Sequence, residues 1–147
     1  IARGGNRHAI AFPRAVATSY DFSFSGLKTA VLNYVNRARR AGLEISLEDL
    51  CASFQEAIVD VLVTKAVRAA KERRIPTILL SGGVAANSRL REALSEACRS
   101  HGLRLFYPSV GLCTDNAAMV ACCGYHRYRR GITSGLDLNP DPNLPLA

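Results

Sequence analysis

No apolar stretch in this sequence approaches the roughly 18–20 residues that a bilayer-spanning helix needs, which excludes such a helix within these residues. A secretory signal is also lacking, because Ile1 to Arg14 mixes Gly, Arg and His with only short apolar pairs. A cytoplasmic protein with no membrane partner is the expectation. The five cysteines (Cys51, Cys98, Cys113, Cys122 and Cys123) are odd in number and contain no C-x-x-C pair, so neither a disulfide framework nor a zinc ribbon fits. Cys51, Cys98 and Cys122 fall on apolar positions of helical patterns, where buried free thiols are expected. Neither a Walker loop nor a G-x-G-x-x-G dinucleotide fingerprint occurs, and no internal repeat is present.

What remains is the composition of one soluble globular domain: 147 residues, 48% apolar and 21% charged. Acidic residues are scarce at the start. Residues 1–46 hold seven Lys/Arg against Asp21 and Glu44, and account for most of the net charge of +7. A second basic cluster, Tyr125-His126-Arg127-Tyr128-Arg129-Arg130, interleaves aromatics with arginine. Such a balance fits an anionic partner, nucleic acid foremost, and equally a solvated basic surface.

Breakers at Gly4-Gly5 and Phe12-Pro13 make residues 1–20 irregular. Leu27, Ala30, Val31, Tyr34, Val35 and Ala38 recur at helical spacing, predicting a helix with Ser25 as N-cap that stops near Gly42. Ser46 with Asp49 three residues on opens a long second helix, whose stripe of Leu47, Leu50, Phe54, Ala57, Ile58, Val61, Leu62 and Ala69 runs to about Arg73. Thr77 to Leu80 and Leu103 to Tyr107 read as strands, the helix between them striped by Leu90, Leu94 and Ala97. A last helix opens at Thr114 or Asp115, and the tail through Pro145 is too Pro-rich for a regular element. Strand–helix–strand of this length implies a parallel crossover, hence an α/β class. Two strands do not make a stable sheet, so four helices flank a sheet that is incomplete in this sequence.

Three segments carry candidate chemistry. Ser81-Gly82-Gly83-Val84-Ala85-Ala86-Asn87 lies between a strand and a helix, where glycines let backbone N–H groups approach a phosphate. A plain tight turn with Asn87 as a cap is the alternative. Cys113-Thr114-Asp115-Asn116-Ala117-Ala118 places Asp115 either as a helix cap or as a carboxylate at the end of a strand, where α/β proteins gather ligand groups. In Phe22-Ser23-Phe24-Ser25-Gly26-Leu27-Lys28-Thr29-Ala30, Lys28 sits one turn into a helix, against the dipole.

Taken in order, FSFSGLKTA, then SGGVAAN followed by LR, then CTDNAAM resemble the TsaD family of tRNA-modifying enzymes, which also carries an older glycoprotease label. The resemblance runs over about residues 1–131. It implies a lobe of the actin-like ATPase (ASKHA, ribonuclease H-like) superfamily, with residues 1–135 forming the C-terminal part of the second lobe and 136–147 an irregular tail. It further implies transfer of threonylcarbamoyl from threonylcarbamoyl-AMP to the adenosine beside the anticodon of tRNA, with TsaB- and TsaE-like proteins as bacterial partners. Residue by residue, Gly82 and Gly83 match the glycines flanking the nucleotide, Asn87 matches the Asn that contacts it, and Asp115 matches the Asp ligand of one divalent metal, iron or zinc. The family completes that metal site with a His pair spaced H-x-x-x-H. His8, His101 and His126 do not form it. The expectation is a chain that starts late, lacks the N-terminal lobe and is inactive alone. Competing readings are a non-catalytic nucleotide-fold scaffold, another ASKHA carbamoyltransferase, and a protease, for which no general base beside a zinc is found.

Overall fold

Four helices in this chain end in the same hydrogen-bonded signature. In the computed structural model, which describes residues 1–15 and 19–143, α1 spans Ser25–Arg40, α2 Leu47–Glu72, α3 Ser88–Ser100 and α4 Ala117–Arg129. After each, the second residue beyond the C-cap donates back across the last turn: Leu43 to Ala38 O, Ile75 to Ala70 O, Leu103 to Cys98 O and Ile132 to Arg127 O. The residue before each donor takes positive φ, which satisfies otherwise orphaned carbonyls in a Schellman motif. Gly42, Gly102 and Gly131 fill that position in three helices, and Arg74 (φ 56°) fills it in α2. The irregular readings of residues 1–20 and of the tail through Pro145 fall partly outside the described residues.

Helix starts are set less uniformly. Ser46 Oγ accepts from Asp49 N at α2 and Asn87 Oδ1 from Leu90 N at α3, as the sequence predicts. The Asp49 carboxylate does not reach back to complete a capping box; it accepts from Asn6 N at 2.7 Å instead. Ser25 is not the N-cap of α1. Phe24 occupies that position without a side-chain cap bond, and packs with Phe12, Leu27 and Ala57, so apolar anchoring sets the start of this helix.

The chain falls into two compact units, Ile1–Cys113 and the part from Thr114 onward. In the first, α2 is the central element. Its expected single stripe is only half of what is buried: Ala57 and Val61 face one way, while Ala52, Glu56, Val59, Val67 and Ala70 lie on another face. One face meets the cluster of Phe12, Leu27, Ile10 and Tyr34; the other, through Val67, meets Leu94, Cys98 and Leu105. Leu47, expected in the stripe, is exposed. Each fully buried Leu or Val side chain here contributes roughly 1.5–3 kcal/mol by leaving water. The N-terminal segment reaches α2 closely enough that a Cβ on Gly5 would stand 2.1 Å from Glu48 O, so glycine is required there.

Strands β1 (Thr77–Leu79) and β2 (Arg104–Phe106) pair in parallel, Ile78 opposite Leu105. Ile78, Leu80, Leu103 and Leu105 pack against Val67, Leu94 and Cys98, which covers one sheet face. On the other, Leu79 (74%) and Phe106 (56%) are exposed. The element order and the α/β class are as read from the sequence, each strand slightly shorter than expected.

In the second unit α4 begins at Ala117, not at Thr114 or Asp115, because Asn116 is its cap, accepting from Met119 N at 2.9 Å. None of the described residues of α4 is buried. Cys122, expected inside, is therefore exposed, as is Cys123. Cys98 is buried as expected, its thiol pKa pushed up by that burial, and Cys51 is half-buried.

Candidate functional site

The loop after β1 is shaped by one glycine and left bare by the next. Gly82 adopts φ 81°, ψ 176°, a conformation essentially confined to glycine. Gly83 has no such requirement, and a Cβ built on it would meet no heavy atom within 4 Å. Its missing side chain leaves exposed backbone at the carboxyl end of β1, free for a close approach. A 3-10 turn, Gly83–Ala86, follows and delivers the chain to Asn87, with Ala85 N bonded to Gly82 O at 3.0 Å.

Asn87 is half-buried and engaged at both ends of its amide. Oδ1 caps α3 through Leu90 N, and Nδ2 donates to Gln55 Oε1 on α2 at 3.0 Å. The cap holds Asn87 in place on any reading of its role; a ligand reaching Nδ2 has to displace Gln55.

Asp115 lies in the second unit, exposed, in the short segment before α4. With Asn116 as cap, the Asp115 carboxylate serves no capping purpose. Gly82, Gly83 and Asn87 are thus brought together on one loop of the first unit, and Asp115 stands in the other.

Two arginines that sequence reasoning left without roles organise the first unit around that loop. Arg91, one turn into α3, donates to Ala85 O, to Pro108 O at 2.8 Å and to Cys113 Sγ at 3.1 Å, and its guanidinium stacks 4.6 Å from the Tyr107 ring. A single side chain therefore ties the loop after β1 to the loop after β2. The LR following SGGVAAN was the available signal, since Arg three residues into a helix from a loop can reach back over it.

Arg89 forms a two-pronged bond with Glu56 of α2, both contacts at 2.7 Å, and a third to Glu92 at 2.8 Å. Glu56 is buried, and the Arg89 guanidinium holds its carboxyl below the usual range despite the opposing effect of burial. Glu56 in return raises Arg89. Nothing local to α2 marks Glu56 as buried; its partner lies 33 residues away.

Beside this pair lies a cleft of about 910 Å³, lined by the N-terminal segment together with Gln55, Glu56, Ser88 and Arg89. It borders Asn87 through Gln55 and Ser88 and does not include Gly82 or Gly83. Among the described residues no group of three His, Cys, Asp or Glu side chains is placed to hold a metal ion.

A parallel β–α–β unit with a glycine-shaped loop at the end of β1, stitched by Arg91 to the loop after β2, defines an α/β protein of the class that gathers ligand groups at the carboxyl ends of its strands. The chain belongs to the TsaD family: the family model described as tRNA N6-adenosine threonylcarbamoyltransferase matches residues 1–122. Relatives bearing that description include the protein of Clostridioides difficile strain 630, 52% identical over 148 residues that cover 99% of this chain and 44% of the relative. That of Moorella thermoacetica is 53% identical, covering 99% of this chain and 43% of the relative. The chain thus spans less than half the length of these curated relatives.

Proposed function

We propose that this chain is the C-terminal part of a tRNA N6-adenosine threonylcarbamoyltransferase, a lobe fragment of the actin-like ATPase superfamily acting with a preceding N-terminal lobe in the cytoplasm. The observation that carries the reading is the Arg91 clamp. Within the first unit it fixes the SGGVAAN loop against the segment ending at Cys113, the residue on which the CTDNAAM motif begins.

In this reading the backbone of Gly82 and Gly83 faces the phosphate of threonylcarbamoyl-AMP, and Asn87 Nδ2 holds the nucleotide after parting from Gln55. The adenosine amine is a weak nucleophile, so orientation and stabilisation of developing charge supply most of the acceleration. The donor set fits a divalent metal, iron or zinc, in one respect: Asp115 is an exposed carboxylate spared from capping by Asn116. The remaining donors of this reading, a His pair, come from the N-terminal lobe. Such a metal supplies Lewis-acid polarisation of a carbonyl or phosphate oxygen. TsaB- and TsaE-like proteins are the partners of this reading in a bacterium.

One observation favours a second reading, a non-catalytic scaffold: Asn87 already has structural partners for both ends of its amide. Asp115→Ala in the full-length enzyme separates the two. Loss of threonylcarbamoyl transfer to tRNA and of metal content, with an unchanged melting temperature, supports the transferase; full transfer by that variant sinks the metal-ligand role. The isolated chain is expected to transfer nothing and to bind metal weakly.

A further inference from the structure

Helix α1 carries Lys28, Arg37, Arg39 and Arg40 and not one acidic residue. Among the described residues none of these four cations has a hydrogen bond or an ion pair with a side chain. Elsewhere in the same unit several cations are put to structural use: Arg14 on Asp60, Arg89 on Glu56 and Glu92, Arg91 on Ala85 O and Pro108 O, and Lys65, 2% exposed, on the carbonyls of Ser19 and Asp21. On α1 four such charges stand on a single helix with no acidic residue to offset them. Asp21 and Glu44, which flank it in sequence, make no ion pair with it.

The helix dipole accounts for part of this arrangement. Arg37, Arg39 and Arg40 lie in the last turn, where a cation is favoured by roughly 0.3–1 kcal/mol. It does not account for Lys28, in the first turn, where the same dipole opposes it. Nor does it account for Asn33 and Asn36, two exposed amides with weak helix propensity. At i, i+3, i+4 and i+7, Asn33, Asn36, Arg37 and Arg40 share one side of the helix and line a shallow groove of about 330 Å³.

We propose that this face of α1 is an RNA-backbone contact surface, Arg37 and Arg40 taking phosphates while Asn33 and Asn36 pair with the intervening sugar hydroxyls. An amide both donates and accepts, which suits a 2′-hydroxyl lying between successive phosphates of an RNA strand. The assignment rests on the reading of the substrate as tRNA and adds where on this chain it lies.

The test is binding of unmodified tRNA by this chain, followed as a function of salt. Arg37→Ala/Arg40→Ala is expected to weaken binding about tenfold near 0.1 M salt and to reduce the slope of log K against log salt by roughly two. Asn33→Ala/Asn36→Ala, which improves helix propensity, weakens binding with the slope kept. A charge-matched control, Arg99→Ala/Arg104→Ala, removes two exposed arginines from α3 and β2 and leaves binding near the native value. Equal losses in the control and the α1 pair, native-like binding by the α1 pair, or no tRNA binding by the native chain each overturn the proposal. So does stronger capture by phosphatidylserine vesicles that is lost in the same α1 variant, which assigns the face to a membrane. In the full-length enzyme the α1 pair raises KM for tRNA with kcat retained. Transfer unaffected by the pair sinks the α1 assignment alone, and absence of any transfer to tRNA by the native enzyme sinks the functional reading beneath it.

Discussion

The guanidinium of Arg91, one turn into α3, donates across 3.1 Å to Cys113 Sγ at the end of the loop after β2, 22 residues on in sequence. Cys113 is 3% exposed, and its thiol points on to Ser109 O at 3.4 Å. The contact closes a circuit that also includes Ala85 O and Pro108 O, so loosening one loop loosens the other.

Arg91→Met therefore leaves two half-buried carbonyls without a donor, and is expected to destabilise the chain by about 2–3 kcal/mol in urea unfolding. Hydrogen exchange should quicken together in residues 83–87 and 109–113. Arg91→Lys recovers little, because an ammonium cannot span three acceptors as a planar fork does. Exchange that quickens in only one of the two loops would show that they are not coupled.

The Glu56–Arg89 pair predicts the acid limb of stability. Arg89 lowers the Glu56 pKa below its ordinary value of 4.5, so the folded state binds this proton less readily than the unfolded one. The resulting stability is fully present above about pH 4.5 and is lost as pH falls through the lower folded value. Glu56→Gln leaves Arg89 without its main buried counter-charge and should cost about 3 kcal/mol at pH 7. Its unfolding free energy should vary less between pH 5 and pH 3 than that of the native chain; an equally steep acid limb refutes the linkage.

Arg74 pays a conformational cost that glycine does not, holding φ 56° at the end of α2 where three other helices use glycine. Arg74→Gly is expected to stabilise the chain by about 1 kcal/mol, and Gly102→Ala to destabilise it by a similar amount. Thermal melts of both variants check the pair. A destabilised Arg74→Gly would mean that the arginine side chain contributes more than its backbone strain removes.

Substitution at Asn87 separates capping from ligand contact. Asp caps a helix as well as Asn, whereas Ala costs about 1 kcal/mol at such a position. Asn87→Asp should nearly keep the native melting temperature, losing only the bond to Gln55, yet abolish transfer in the full-length enzyme by removing the amide donor. If Asn87→Asp retains native turnover, Asn87 is a cap and nothing more.

Several of these features were legible in the sequence because they act within one helical turn. Ser46 and Asn87 bond to an amide three residues on, and Gly42, Gly102 and Gly131 take a backbone angle that side chains resist. Ser25 and Asp115 misled for the same local reason. Each sits one residue from the true cap position, and its neighbour was chosen by packing in one case (Phe24) and by a better-placed amide in the other (Asn116). The second buried face of α2 was hidden because Glu56 interrupts its apolar pattern, and Lys65 was hidden on the first face for the same reason; their partners, Arg89 and the carbonyls of Ser19 and Asp21, lie more than thirty residues away.

The sequence by itself determined the α/β order, the caps, the glycine positions and the family motifs, since each depends on spacing along the chain. Only the tertiary structure decided that Arg91 joins both strand-end loops, that Arg89 neutralises a buried Glu56, and that the charges of α1 are left unpaired. Those outcomes depend on which helix faces which across the core. Burial makes a charge costly unless a partner from another element arrives, and no local pattern records that arrival.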